Sequence, residues 1–247
     1  KSSGSSGDDD EVTIQRGFSS LFPGIDRRVI TLDQNFSTPF LREYFLSMGA
    51  CASDKKTFRN VLMQPGRAVV VVVGGAAESL LSKQGEIDLV LQTRRGFVRE
   101  ALLANASLVP CIAFGETDLY HTYDPNETWI SRMQDFVKKY AGFGMPVFRG
   151  RNVYLRNVGF MPERKPVVVV VGAPIAPPPK FASAEQRAKF KPEIDRKTNT
   201  ALNKDGELVI EWHNKYINAL EALYAKYKDK SWNLPGKQRS RSMKIVR

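Results

Sequence analysis

Short unbroken apolar runs alternate with segments of helical periodicity along most of the chain. Residues 68–73 form such a run, and residues 108–114 and 166–171 repeat it. Runs of this length without alternation are typical of strands buried on both faces of a parallel sheet. Residues 96–104 keep helical spacing, and residues 208–230 predict a long amphipathic helix. The pattern predicts an α/β fold with a central, mostly parallel sheet flanked by helices, in which residues 68–73 form a central strand.

A strand followed by a helix is predicted near the start of the folded sequence. Residues 28–32 have the composition of a short strand, and a helix is predicted over residues 39–48. Thr38 is the expected N-cap of that helix, Pro39 its first residue and Gly49 its stop. The two elements predict a βα unit.

Composition shifts divide the chain into one domain with two loose ends. Residues 1–16 are predicted to be a flexible, low-complexity segment, and residues 17–235 the folded domain. Within that domain, residues 181–206 are charged and poor in large apolar side chains, which predicts a surface insertion without chemistry. Residues 236–247 contain five basic side chains and no acid, a pattern suited either to anionic lipid head groups or to a solvated tail.

The net charge of +11 and the pI of about 9.7 indicate a negatively charged partner. Nucleic acid, an anionic membrane surface and a phosphorylated small molecule are the three classes. Zinc-finger spacing, a helix-turn-helix signature and an RNA-binding aromatic motif are all missing from the sequence, so nucleic acid is not expected. Cys51 and Cys111 lack pair spacing and are predicted to be reduced and buried, which fits a cytosol-facing domain. No apolar stretch reaches the ~20 residues that span a bilayer.

Polar and glycine residues follow the predicted strands, where α/β proteins build their sites. Gly74 and Gly75 would let the backbone approach a ligand and offer N–H donors, or would simply form a tight turn. Arg94, Arg95 and Gly96 open a predicted helix, and arginine forks at a helix N-terminus suit a phosphate.

Further candidates lie after the strand predicted over residues 108–114. Glu116 and Asp118 follow it, and Glu116 would either line a site or fix its own loop. Arg99 is expected on a solvated basic face. His121 and His213 are the only histidines, and His213 is expected to be a packing or hydrogen-bonding residue. No cluster of residues has the spacing of metal ligands, so no metal is expected.

Three segments resemble the type 2 diacylglycerol acyltransferase family, which includes monoacylglycerol acyltransferases and wax synthases. They are Gly-Gly-Ala-Ala-Glu-Ser (74–79), Arg-Arg-Gly-Phe-Val-Arg (94–99) and Phe-Gly-Glu-Thr-Asp (114–118). The resemblance runs from about Gly17 to Pro235. It implies the fold of glycerolipid acyltransferases, transfer of a fatty acyl group from acyl-CoA to diacylglycerol, and a supporting catalytic role for Glu78.

The family's His-Pro-His-Gly motif, which holds the expected catalytic base, does not occur in this chain. The resemblance therefore predicts that these 247 residues are the C-terminal part of an enzyme and are inactive alone. It implies an endoplasmic reticulum or lipid-droplet surface, acyl-CoA as substrate without a cofactor, and a homo-oligomer. Two alternatives stay open: a non-catalytic acyl-CoA or lipid-binding scaffold, and the same chemistry on monoacylglycerol or a long-chain alcohol.

Overall fold

The computed structural model describes residues 17–74, 87–122, 148–151, 161–195, 197–229 and 243–246. The chain divides into two compact units, the first ending at Val70 and the second beginning at Val71. Both contain strands and helices, which confirms the α/β class.

The first unit is built on a parallel sheet of three strands. These are β1 (Asp26–Thr31), β2 (Ala50–Ala52) and β3 (Arg67–Val70), paired in the order β2–β1–β3. The helices are α1 (Phe18–Leu21), α2 (Leu41–Ser47) and α3 (Lys55–Leu62), and a 3-10 turn covers Asp33–Phe36. The strand–helix alternation from β1 to β3 contains the predicted βα unit.

Helix α2 begins later than predicted, at Leu41 instead of Pro39. Phe40 occupies its N-cap position with φ +66°, a left-handed conformation that prevents Pro39 from continuing into the helix. The Phe40 ring is 89% exposed. The predicted cap, Thr38, contributes only its carbonyl, which accepts a hydrogen bond from the Arg42 N–H at 3.0 Å.

Strand β3 is shorter and less central than the run at residues 68–73 predicted. It ends at Val70, and among the described strands it pairs only with β1. Its residues are half-buried or exposed, so burial on both faces is wrong for this strand. The apolar run therefore indicates a strand, but it does not indicate a central position in the sheet.

The second unit contains the longest helix and several short strand pairs. Its helices are α4 (Gly96–Leu103), α5 (Ala184–Lys189) and α6 (Lys204–Tyr227). Its strands are β4 (Ile87–Val90), β5 (Cys111–Phe114), β6 (His121–Thr122), β7 (Phe148–Arg149), β8 (Val168–Val171) and β9 (Met243–Val246), and 3-10 turns cover Glu116–Asp118 and Pro179–Ala182. The helices predicted over residues 96–104 and 208–230 are confirmed as α4 and α6.

Pairing in the second unit is mixed. Strands β4 and β9 are parallel, whereas β5–β8 and β6–β7 are antiparallel. The expectation of parallel neighbours is therefore wrong for β5 and β8, which the register joins from Cys111–Val171 to Phe114–Val168. The described strands form four small sheets, so one central sheet stays a prediction.

Helix α6 supplies the core of the second unit along its whole length. Near its start, Val209 and Trp212 pack with residues of α4 and of the segment after β8, in a cluster completed by Val98, Ala101, Leu102, Leu108, Phe181 and Phe190. Near its end, Leu220 and Tyr224 pack on β5 and β8, with Leu91, Ile112, Phe114 and Val170. The prediction that this helix packs on a sheet is confirmed.

Three expectations about surface residues are corrected by this packing. Phe181 and Phe190 are 1% and 6% exposed, so residues 181–206 are not wholly a surface segment. Met243–Val246 of the basic tail form β9, which means that this part of the tail is paired rather than solvated. Cys51 is half-buried and Cys111 is exposed, although both were expected to be buried; both are free thiols.

Candidate functional site

The loop between β4 and α4 separates the two neighbouring arginines. Arg94 is exposed, and its backbone N–H donates to the Leu91 carbonyl at 3.0 Å. Arg95 is half-buried at the N-cap position of α4 and makes no side-chain capping hydrogen bond. Burial lowers the pKa of Arg95. The Arg95 side chain is therefore partly shielded from solvent at the start of a helix.

A tight turn after α5 holds the Arg95 side chain. The Nη1 of Arg95 donates to the Asn199 carbonyl at 3.0 Å. Asn199 has φ +62°, and its Nδ2 donates to the Gln92 carbonyl at 3.4 Å. Asparagine tolerates this left-handed conformation better than most residues. The turn thus connects to the β4–α4 loop at two points.

Asp195 stabilises the same turn from within. Its carboxylate accepts hydrogen bonds from the Lys197 N–H at 2.9 Å and the Thr198 hydroxyl at 2.8 Å. These bonds lower the pKa of Asp195, the Lys197 N–H most. The backbone N–H of Asn199 donates to the Asp195 carbonyl at 2.9 Å. The Asn199 carbonyl, which accepts the hydrogen bond from Arg95, is therefore held in place by a turn that the Asp195 carboxylate stabilises.

His213 of α6 is 1% exposed and lies within electrostatic reach of Arg95. Burial is the main cause that lowers the pKa of His213 from 6.5 to about 4, and the positive charge of Arg95 adds to it. A backbone hydrogen bond with Leu91 opposes this shift. The imidazole is neutral at pH 7 as a result. Its ring makes an edge contact with Phe97, with centroids 6.1 Å apart.

Several buried polar atoms around α4 and α6 have no hydrogen-bond partner. Within the described part of the chain these include Arg95 Nε, Trp212 Nε1 and Arg99 Nε. The last corrects the expectation of a solvated Arg99, which is half-buried. In contrast, the space where a Gly96 side chain would lie is open.

Glu116 and Asp118 belong to a different turn, which follows β5. Gly115 opens it with φ +88°, and any side chain there would collide with the Pro166 carbonyl oxygen. Glu116 is exposed, whereas Asp118 is 4% exposed. The two predicted rim carboxylates therefore differ in environment, and the exposed Glu116 is the one available to a ligand.

The remaining predicted site residues are only partly described. Gly74 is buried, while Gly75 and Glu78 lie outside the described residues. The side chain of His121 is outside the description too. Among the described residues, no three His, Cys, Asp or Glu side chains lie together as potential metal ligands. Within the same ranges, no helix combines the length and apolar character needed to cross a bilayer.

Comparison with known proteins assigns the chain to a family. Residues 12–190 match the family described as "Diacylglycerol acyltransferase". The chain belongs to the diacylglycerol acyltransferase family. This confirms the resemblance drawn from residues 74–79, 94–99 and 114–118. No solved structure matches the chain.

Named members of the family cover nearly the whole chain. Diacylglycerol O-acyltransferase 1 of Schizosaccharomyces pombe is 42% identical over 214 residues, which are 86% of this chain and 56% of the relative. Diacylglycerol O-acyltransferase 2A of Umbelopsis ramanniana is 38% identical, with 88% and 57% covered. Acyl-CoA wax alcohol acyltransferase 2 of Mus musculus is 37% identical, with 89% and 60% covered. The chain thus spans a little over half the length of these relatives.

Two residues of this diacylglycerol acyltransferase family member were missed or undervalued by sequence reasoning. Asn199 fell in a segment dismissed as a surface insertion, although Asp195 three residues before Thr198 carries the signal of a side-chain-stabilised turn. His213 was expected to pack, but its closeness to Arg95 was not foreseen. Its position four residues after Val209 and seven before Leu220 places it on the buried face of α6.

Proposed function

We propose that this protein transfers a fatty acyl group from acyl-CoA to diacylglycerol and so forms triacylglycerol. Family membership carries the proposal, together with relatives named diacylglycerol O-acyltransferase that are up to 42% identical. The reaction needs a base for the acceptor hydroxyl, donors for the developing oxyanion, and cations for the phosphates of coenzyme A.

The described residues support the last of these requirements best. Arg95 is held beside the start of α4 by Asn199, and Gly96 leaves the adjoining space open. In the proposal, Arg94, Arg95 and Gly96 hold phosphate oxygens at this helix N-terminus. Gly74 and Gly75 provide backbone donors after the strand that precedes them.

The carboxylates have separate proposed roles. Glu78 orients the base, which by family resemblance is the histidine of the His-Pro-His-Gly segment. Glu116 and Asp118 form the rim of the site. The finer fold that would bring these groups together is a single central, mostly parallel sheet, as in glycerolipid acyltransferases.

The setting of the enzyme is part of the same proposal. Diacylglycerol is a membrane lipid, so an enzyme that uses it must work at a membrane surface. The net charge of +11 suits an anionic surface. We place the protein at the cytosolic face of the endoplasmic reticulum and on lipid droplets, with a homo-oligomer as the proposed assembly.

The acceptor is tested by offering three alcohols side by side. Membranes from cells that express the longest form encoded by the transcript receive labelled oleoyl-CoA with diacylglycerol, 2-monoacylglycerol or hexadecanol. Triacylglycerol is the expected main product. Relatives named acyl-CoA wax alcohol acyltransferase 2 and 2-acylglycerol O-acyltransferase 1 make the other two acceptors specific alternatives. Preference for either of them would replace diacylglycerol in the proposal.

The role of Glu78 is tested in the same assay. We expect Glu78→Ala to lower the rate about 100-fold or more, because a positioned acid–base group typically contributes a factor of 10² to 10⁴. Glu221→Ala, on the exposed face of α6, is the matched control and should keep the rate. Unchanged transfer by Glu78→Ala would remove Glu78 from the mechanism. Acyl-CoA binding without transfer in every form would favour a scaffold.

A further inference from the structure

We propose that helix α2 lies in the surface of an anionic phospholipid membrane, with Phe40, Leu41, Tyr44 and Met48 inserted among the lipids. These four residues form the α2 stripe. The inference rests on the proposed function, which requires a lipid acceptor, and it adds the part of the first unit that contacts the lipid surface.

One face of α2 is apolar and left uncovered. Leu41, Tyr44 and Met48 are spaced by three and four residues, which places them on the same face of the helix. They are 39%, 57% and 57% exposed. Phe45, the next residue after Tyr44, contacts Phe36, with ring centroids 6.4 Å apart. The helix is thus attached to its unit through Phe45, and the α2 stripe faces solvent.

Phe40 extends this face at the entry to the helix. Its carbonyl accepts a hydrogen bond from the Tyr44 N–H at 3.1 Å, so it lies one turn before Tyr44. Its φ of +66° is unfavourable for a residue with a bulky side chain, and its ring is 89% exposed. Strained conformations of this kind concentrate at functional sites. Packing inside the protein does not explain the strain at Phe40, whereas a lipid surface that receives the ring does.

The composition of the α2 stripe suits the boundary between water and lipid. Phenylalanine, leucine and methionine supply apolar area, and a tyrosine ring has an apolar body and a polar end. Single apolar side chains are common on protein surfaces, but four of them on one short helix form a patch. A helix of seven residues is too short to cross a bilayer, and it can lie in the plane of the bilayer surface.

Positive charge lies beside the end of this helix. A side chain at Gly49, where α2 has ended, would begin 3.6 Å from Nη1 of Arg28. The Asp26 carboxylate lies 2.8 Å from the guanidinium of Arg28 and 3.6 Å from that of Arg67. Two cations therefore share one anion, which leaves an excess of positive charge next to the apolar face.

The whole first unit has the same sign of charge. Residues 17–70 contain seven basic and four acidic side chains, a net charge of +3. On α2 itself Arg42 and Glu43 balance, so the excess comes from the residues around the helix. Positive charge beside an inserted apolar face is the combination that binds anionic lipid head groups. An anionic membrane is therefore the partner to which the α2 stripe is complementary.

The test is flotation of the whole chain with vesicles of phosphatidylcholine that contain about one-third phosphatidylserine. Phe40→Gly removes the ring and keeps the left-handed backbone, because glycine adopts that conformation readily. We expect it to weaken vesicle binding about 10-fold, as the loss of a buried aromatic side chain implies. Failure of the unaltered chain to bind these vesicles, or equal binding by Phe40→Gly, would overturn the proposal.

Two leucines on different sides of α2 provide a matched pair. Leu41 belongs to the α2 stripe, whereas Leu46 is 50% exposed and lies two residues from Tyr44, on another face. Leu41→Ala should weaken vesicle binding about 3- to 5-fold, and Leu46→Ala should leave it unchanged. Equal losses for the two variants would mean that no particular face of the helix enters the lipid. Circular dichroism of each variant checks that the fold is kept.

The charge and a competing occupant are tested with the same proteins. Vesicles of phosphatidylcholine alone should bind more weakly, and added salt should reduce the preference for phosphatidylserine. Analytical ultracentrifugation without lipid tests whether a second copy of the chain covers the α2 stripe instead. A dimer that Phe40→Gly converts to monomer, with vesicle binding unchanged, would replace the membrane by a second copy.

The docking surface and the proposed function fail in different ways. If Phe40→Gly binds vesicles as the unaltered chain does while the membrane assay still yields triacylglycerol, only the docking surface is wrong. If Phe40→Gly weakens vesicle binding as expected and no acyl transfer occurs in any form, the proposed function is wrong and the α2 stripe stays a lipid-binding surface.

Discussion

The two compact units differ in how they are stabilised. Among the described residues, the buried apolar side chains of the first unit are Ala50 and Val61, whereas the second unit has fifteen. Exposed large apolar side chains show the opposite distribution, with eleven before Val71 and six after it. The first unit is therefore held mainly by its strand hydrogen bonds, and the second by apolar packing.

Helix length explains most of this difference. Helix α6 has 24 residues and packs against two apolar clusters, while α3, the longest helix of the first unit, has eight. Short helices gain little stability alone and depend on packing of an apolar face. A long amphipathic helix is thus what gives the second unit a core of its own.

The largest test of this contrast compares two phenylalanines. Phe181 is 1% exposed in the second unit, and Phe40 is 89% exposed in the first. We expect Phe181→Ala to lower the free energy of unfolding by about 3–5 kcal/mol, because it leaves a cavity. Phe40→Ala should change it by less than about 0.5 kcal/mol. Urea unfolding followed by circular dichroism measures both changes. Equal changes would mean that the two units do not differ in how much apolar packing stabilises them.

A second test uses acid to weaken the second unit. His213 titrates at 6.5 when unfolded, but its pKa is lowered to about 4 in the fold. The unfolded chain therefore binds more protons between these values, and stability falls as the pH drops from 6.5 to 4. The loss from this residue is on the order of 3 kcal/mol.

The measurement is the urea midpoint at intervals between pH 7 and 4. His213→Leu should remove most of the slope. The lowered pKa values of Asp54 and Asp195 place most of their own losses below the unfolded value of 3.8, at the acid end of this window. A flat midpoint in the unaltered protein would show that His213 is not neutral and buried as described.

The smallest effects compare helix caps across the units. Asn203 caps α6 by accepting from the Gly206 N–H at 2.7 Å, and it also bonds backbone groups of Lys191 and Glu193. Asp54 caps α3, and its carboxylate accepts a hydrogen bond from the Thr57 N–H at 2.9 Å.

We expect Asn203→Ala to cost about 2 kcal/mol and Asp54→Ala about 1 kcal/mol or less, since the first also releases the segment before α6. Thermal unfolding by circular dichroism gives the ranking. A larger loss for Asp54→Ala would contradict it.

Local periodicity predicted the helices well and the sheets poorly. The apolar spacing in α4 and α6 depends on neighbours one turn away, so the sequence contains it directly. Strand pairing depends on distant residues, and nothing in residues 108–114 or 166–171 indicated that β5 and β8 would be antiparallel. Phe40 shows a third case, because a left-handed aromatic residue is not a position that propensity would choose.

The charged residues of the candidate site could be predicted from the sequence, but the residues that hold them in place could not. Arg95 and Gly96 could be selected from type and spacing alone. The carbonyl of Asn199, which holds Arg95, lies 104 residues away and is a backbone group that any residue possesses. His213 likewise reaches Arg95 only through the packing of α6 on α4. Glu78 and the rim roles of Glu116 and Asp118 stay predictions.

The pairing of β4 with β9 has a consequence for how the chain is made. These strands lie side by side, yet residue 243 is synthesised roughly 150 residues after β4, which takes on the order of 8–30 s at typical rates of translation. During that interval the β4 edge has no β9 to pair with. A nascent chain in this state would be a substrate for chaperones, and a translation pause before residue 243 would prolong its exposure.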